Sequence, residues 1–217
     1  HPTPPYPTLP HVSRLIRADA RRTFGSHRDA RVLQSSLRRV LDAYSHRNPA
    51  VGYCQAMNFI GATLLLFLQE ADAFWCLCVI VELVLPEGLY APRLRGVATE
   101  MRLLSDLLAR GQGALLAHLE RHGVSLEVVC AKWIMCCFVT VLPLPSALRL
   151  WDLMLLDAAS GKKRDGVGDA GCSAVPLIAS LYMLRRGERK LRAAQGTEEL
   201  LPAIVSLSEH LTGGPSI

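Results

Sequence analysis

The chain has 217 residues, half of them hydrophobic and one fifth charged, and carries a formal charge of +5. That composition belongs to a globular protein and excludes a disordered or collagenous one. The charge is unevenly spread: residues 1–50 hold nine arginines against three acids, so the surplus positive charge lies in the first quarter of the sequence.

A Pro-rich lead, residues 1–11, opens the chain without an initiator Met or an apolar signal core, the pattern expected of a piece of something longer. Two helices follow, over 14–24 and 31–45. In the second, Leu33, Leu37, Val40, Leu41 and Tyr44 recur at three- and four-residue steps along one face. Asn48 and Pro49 stop it. Residues 53–68 and 72–84 are apolar without alternation and long enough to read as buried helices. Each falls short of the roughly 18 to 20 residues that span a bilayer, so no transmembrane helix is expected.

An amphipathic helix over 95–109 shows Val97, Met101, Leu104 and Leu108, and a short one around Leu115, Leu116 and Leu119 ends at Gly123. Ser125 suits the cap of a helix running to about Val141. Pro143 and Pro145 break it, and Pro145 fits the first turn of the next, which holds Arg149, Trp151 and Asp152. Residues 158–171 read as a flexible loop or internal break. Helices near 173–187 and 197–211 complete an all-α fold, with no period-2 pattern between turn signals anywhere.

Several patterns that suggest chemistry fail. His118 and His122 stand four apart, but Leu119 occupies the place of the glutamate in an H-E-x-x-H zinc site, so they read as a solvated helix end and no metal is expected. Gly111-Gln112-Gly113 follows no strand and reads as a loop. Cys76 and Cys78 face different ways on a helix. The seven cysteines are odd in number, mostly in apolar runs and never spaced C-x-x-C, which suits reduced thiols of an intracellular protein. Neither a nucleophile-elbow motif nor a P-loop occurs. The N-terminal arginines have almost no Lys and few aromatics among them, so they read as helix surface and not as a nucleic-acid stripe.

Two segments stand apart. Ile16, Asp19 and Arg22 lead into Thr23 and Phe24, with Asp19 and Arg22 adjacent on a helix surface. Gly52, Tyr53 and Gln55 precede Met57 and Asn58, placing two amides at the start of an oily helix, where they need partners. Together these segments resemble the I-x-x-D-x-x-R and Y-x-Q motifs of the TBC domain of GTPase-activating proteins for Rab GTPases. Trp133, then Leu142-Pro143, then Arg149, Trp151 and Asp152 resemble the family's downstream landmarks in order. The resemblance covers residues 12–211.

The resemblance implies a wholly helical, multi-helix TBC domain in two helical subdomains. It implies a GTPase activator, not an enzyme with a substrate site of its own, whose partner is a GTP-bound Rab-type GTPase that itself carries GTP and Mg²⁺; the chain needs no cofactor. Arg22 would be the arginine finger and Gln55 the glutamine finger, with Asp19, Thr23, Tyr53 and Asn58 supporting them. Ile16, Phe24, Gly52, Trp133, Arg149, Trp151 and Asp152 would be structural, the last four through core packing and intramolecular pairing. The implied location is cytoplasmic, with recruitment to endomembranes through flanking regions. Three positions depart from the family pattern: Ala56 replaces the usual Gly, Phe59 a frequent acid and Gly25 a common Pro. The family's helix before the first motif is missing from the chain. A helical binding module that recognises a GTPase without speeding hydrolysis is the alternative.

Overall fold

A computed structural model of the chain describes residues 9–23, 29–161 and 172–207. Among these residues there are nine α-helices and no strand. They divide into two compact units, residues 1–96 and 97–217.

The first unit is built on α1 (Leu9–Thr23), α2 (Ala30–Arg47), α3 (Met57–Leu65) and α4 (Glu70–Val79). Helix α1 starts five residues earlier than its apolar spacing suggests, inside the Pro-rich lead, with Pro10 in the first turn where its missing N–H is harmless. Val12, Ile16 and Ala20 form its buried stripe. They pack on α2 and α3, and α2 in turn contacts α4. Leu37, Val40, Leu41 and Tyr44 line the core face of α2. Gly61 of α3 lets the two helices approach closely, because a Cβ there would meet Leu37 Cδ1 at 2.9 Å.

Asn48 ends α2 by donating its backbone N–H to the Tyr44 carbonyl at 2.9 Å, and Gly52 then turns the chain at φ +62°, a conformation that favours glycine. Residues 53–56 are not the first turn of a helix, as their apolar character suggested, but a loop that delivers the chain to α3. Helix α4 runs on into a π-helical segment, Ile80–Val84. Arg47, near the end of α2, stacks 5.6 Å from the Trp75 ring and bonds Glu82 at 3.1 Å.

The second unit contains most of α5 (Arg95–Arg121), then α6 (Leu126–Met135), α7 (Leu144–Ala159), α8 (Val175–Ala193) and α9 (Thr197–Val205). The two helices expected over 95–119 are one element with a break at Gln112, where φ is −140° and ψ 48°. Arg185 of α8 donates to the Gln112 side chain at 2.9 Å. Ser125 caps α6 by accepting from Val128 N–H, as its position suggested. That helix ends at Met135, six residues before the expected Val141, because Cys137 and Phe138 adopt left-handed φ values of 46° and 64°. Helix α8 packs on α6, α7 and α9. His118 is not solvated: it is buried, and its Nε2 lies 3.1 Å from the Ala194 carbonyl oxygen. Residues 162–171 of the expected loop, and 208–211 at the end of the expected domain, lie outside the described residues. No described helix is long and apolar enough to cross a membrane.

Candidate functional site

The last turn and a half of α1 places Asp19, Arg22 and Thr23 at i, i+3 and i+4, so all three share a face. Asp19 is 6% exposed and Arg22 projects into solvent, its side chain 60% exposed. A buried carboxylate is costly unless both oxygens are engaged. One Asp19 oxygen accepts from Arg22 Nη2, and the other accepts from the Tyr53 hydroxyl at 2.6 Å. Tyr53, 34 positions after Asp19, thereby meets Arg22 on one carboxylate. Burial, reinforced by the bond to Asp19, pushes the Tyr53 phenol well above its ordinary range, so it stays a donor.

Thr23 and Asn58 make a second connection between the same segments. The Thr23 hydroxyl donates to the Asp19 carbonyl at 2.6 Å, and Asn58 Nδ2 donates to Thr23 Oγ1 at 2.9 Å. The other end of the Asn58 amide accepts from Ala56 N–H at 3.1 Å. Asn58 is 1% exposed, and these bonds satisfy the amide that its position at the start of an oily helix leaves in need of partners.

Ala56 has φ 141° and ψ −36°, a backbone conformation that L side chains rarely adopt. It is the position where the resembled family usually has glycine, and the side chain is buried at 3% exposure. The Asn58 bond and the start of α3 hold it there. Gln55, immediately before, is exposed, and its carboxamide makes no hydrogen bond among the described residues. The site thus consists of two exposed polar side chains, Arg22 and Gln55, each rooted in a buried hydrogen-bonded support.

The other motif residues fall in two groups. Ile16 is fully buried under α1, and Gly52 makes the turn before Tyr53. Phe24 and Gly25 lie outside the described residues. In the second unit Trp133 and Trp151 are buried, at 5% and 6% exposure, and Trp151 Nε1 donates to the Cys137 carbonyl at 2.8 Å. Arg149 and Asp152, expected in core pairing, are instead exposed on α7 beside Leu153 and Leu156. A turn of helix that buries Trp151 must send its neighbours at these offsets outward.

The residues 7–185 match the model of the Rab-GTPase-TBC domain. The chain belongs to that family. It is 39% identical over 151 residues to human TBC1 domain family member 2A, covering 67% of this chain and 16% of that protein. With human growth hormone-regulated TBC protein 1 the identity is 38% over 151 residues, covering 67% of this chain and 45% of that one. The chain therefore spans less than half the length of either relative. Among solved structures, the Chlamydomonas flagellar RabGAP TBC domain superposes with a TM-score of 0.72 at 27% identity, covering 93% of this chain and 66% of that one. The Ypt/Rab-GAP domain of Gyp1p superposes at 0.58 with 17% identity, covering 93% and 79%, and shares the fold.

Among the described residues no group of three or more His, Cys, Asp or Glu side chains is arranged to hold a metal ion. The structure brings together Asp19, Arg22, Thr23, Tyr53 and Asn58, all named from the two sequence motifs. Sequence reasoning missed the backbone of Ala56, for which the departure from glycine was the available signal.

Proposed function

We propose that the chain accelerates GTP hydrolysis on a Rab-type small GTPase by supplying two side chains in trans. The observation that carries this reading is the Asp19 carboxylate, which grips Arg22 with one oxygen and Tyr53 with the other, tying the two motif segments into one support.

A small GTPase holds its own GTP and Mg²⁺ but hydrolyses slowly, because negative charge developing on the phosphates is incompletely stabilised and the attacking water is loosely held. Arg22 answers the first deficiency. Its guanidinium is permanently charged and has five donors, of which Asp19 occupies Nη2, leaving others free to reach phosphate oxygens. Asp19 restricts the guanidinium's search before the partner arrives, which lowers the ordering cost of the encounter.

Gln55 answers the second. Its carbonyl accepts from the nucleophilic water and its amide donates toward the γ-phosphate, replacing the glutamine that the GTPase would otherwise use. The unusual Ala56 backbone and the Asn58 amide behind it set the direction in which Gln55 leaves the chain. The partner is a GTP-bound Rab-type GTPase, and the implied setting is vesicle traffic at endomembranes, reached through regions flanking this domain.

Single-turnover phosphate release from a panel of GTP-loaded Rab GTPases tests the proposal. Acceleration by the parent chain is expected, with a loss of about 10²–10³-fold for Gln55→Ala, the scale for removing one positioned donor from a transition state. Binding of a panel member without acceleration would overturn the catalytic reading in favour of a binding module.

A further inference from the structure

On the flank of α1 away from Arg22, that helix and α2 enclose an open cleft of about 310 Å³ lined by Arg17, Ala20, Arg21, Gln34, Ser35 and Arg38. With about 3.6 residues per turn, Arg17 and Arg21 leave one side of the buried Ile16 stripe and Arg22 leaves the other. The cleft and the finger site are therefore separate faces of one helix.

Three features distinguish this cleft from an ordinary solvated helix surface. Arg17 and Arg21 form no ion pair among the described residues, and Arg38 has only a 3.5 Å contact with Asp42, whose other oxygen accepts from Ser13 at 3.0 Å. Among the described residues no acidic side chain lines the cleft, so three arginines line one concavity with a single acidic contact between them, that of Arg38 with Asp42. Gln34 is held in place by donating to the Arg21 carbonyl at 2.9 Å, which fixes the wall between the helices. Like charges gathered this way repel one another, and a bound anion converts that repulsion into attraction.

We infer that the cleft is a binding site for a phosphomonoester-bearing small anion, of the class formed by inositol phosphates free in solution or displayed as lipid headgroups. The guanidinium fork takes two phosphate oxygens at once, so several phosphates on one ring match several forks better than a single carboxylate does. Gln34 and the Ser35 hydroxyl add neutral groups suited to ring hydroxyls. The cleft's size fits one phosphorylated ring rather than an extended peptide. This inference does not rest on GTPase activation and stands or falls separately from it.

The test titrates the chain calorimetrically with inositol trisphosphate and with inorganic phosphate. It also sediments the chain with phosphatidylcholine vesicles containing either phosphatidylinositol bisphosphate or phosphatidylserine at matched charge. The trisphosphate is expected to bind, and Arg17→Gln with Arg38→Gln to weaken it more than about tenfold, because two charge-assisted contacts are lost. Arg22→Ala is expected to bind as the parent does. Vesicle retention that soluble trisphosphate competes away assigns a lipid headgroup, and trisphosphate binding without retention assigns a free ligand; both uphold the site. Absence of trisphosphate and vesicle binding, or undiminished binding by the double variant with thermal melting unchanged, overturns it. So does equal retention on phosphatidylserine, which marks diffuse charge, or a double variant whose only defect is weaker GTPase affinity, which marks an acidic protein surface.

Discussion

The Asp19–Tyr53 region of the first unit and the Trp133–Trp151 region of the second both carry family motif residues, yet they are built on opposite plans. The first buries its polar groups and exposes the chemistry: Asp19 and Asn58 lie inside, Arg22 and Gln55 outside. The second buries its aromatic rings, closes with one bond from Trp151 to the Cys137 carbonyl, and turns its charged residues Arg149 and Asp152 to solvent. The exposed motif residues of the first region stand on a buried polar support, whereas the buried ones of the second are aromatic rings packed in a core. On the proposed function mutations separate the two: loss of a finger should remove rate at small cost in stability, and loss of a buried ring should do the reverse.

The largest expected effect is that of Arg22→Ala. An arginine finger is worth about 10³–10⁵ in rate, so single-turnover hydrolysis should collapse, whereas the thermal melt should fall only modestly, since Asp19 loses Arg22 but keeps the Tyr53 hydroxyl. A melt that fell in step with the rate would break the comparison. Trp151→Ala is the counterpart: loss of a buried indole and its hydrogen bond should cost about 3–5 kcal/mol in urea unfolding. The activity per folded molecule should survive.

A smaller effect sharpens the comparison within the first region. Ala56→Gly relieves a backbone strain of order 1–3 kcal/mol but loosens the unfolded chain by about 0.4–1 kcal/mol. The expected net is a stabilisation of about 1 kcal/mol in urea unfolding, with φ 141° retained because the Asn58 bond is still made. Destabilisation would mean that the methyl group's packing outweighs its backbone strain.

The smallest effect concerns pH. Glu70 accepts from Arg39 and Ser36, and the Arg39 bond chiefly holds its carboxyl down from 4.5 to about 2. A carboxyl lowered in the folded state stabilises the protein above its unfolded value and loses that contribution as pH falls through the folded one. The parent should therefore lose more stability than Glu70→Gln between about pH 4.5 and about pH 2, followed by urea midpoints. The side chains of the pair are roughly half exposed, so screening keeps the difference small.

The helices were legible where an apolar stripe recurs at helical spacing, as in Leu37, Val40, Leu41 and Tyr44. Their ends were legible where a terminator is local, as at Asn48 and Ser125. They were not legible where tertiary contact decides. Nothing in the apolar run 53–68 says that its first four residues form a loop, because the reason is a bond from Tyr53 to a carboxylate on another helix. The left-handed pair Cys137–Phe138 is equally silent in sequence, since neither residue is Gly or Asn. Its carbonyl is taken up by Trp151, fourteen positions later. The catalytic candidates were legible as residue types in register, whereas the shared carboxylate that ties Arg22 to Tyr53 is a property of the fold.

The bonds between Ala56 and Asp19 have a common sense of direction. Ala56 N–H donates to the Asn58 oxygen, the Asn58 amide donates to Thr23, and the Thr23 hydroxyl donates to the Asp19 carbonyl. Each group is polarised by the one before it, so the bonds strengthen one another. Aspartate at position 58 would have the same outline and still fail, because it puts an acceptor where Thr23 needs a donor and the hydroxyl has only one proton, already committed. Occupying the volume of Asn58 is thus insufficient; the position demands a side chain with two unlike ends, facing the right way round.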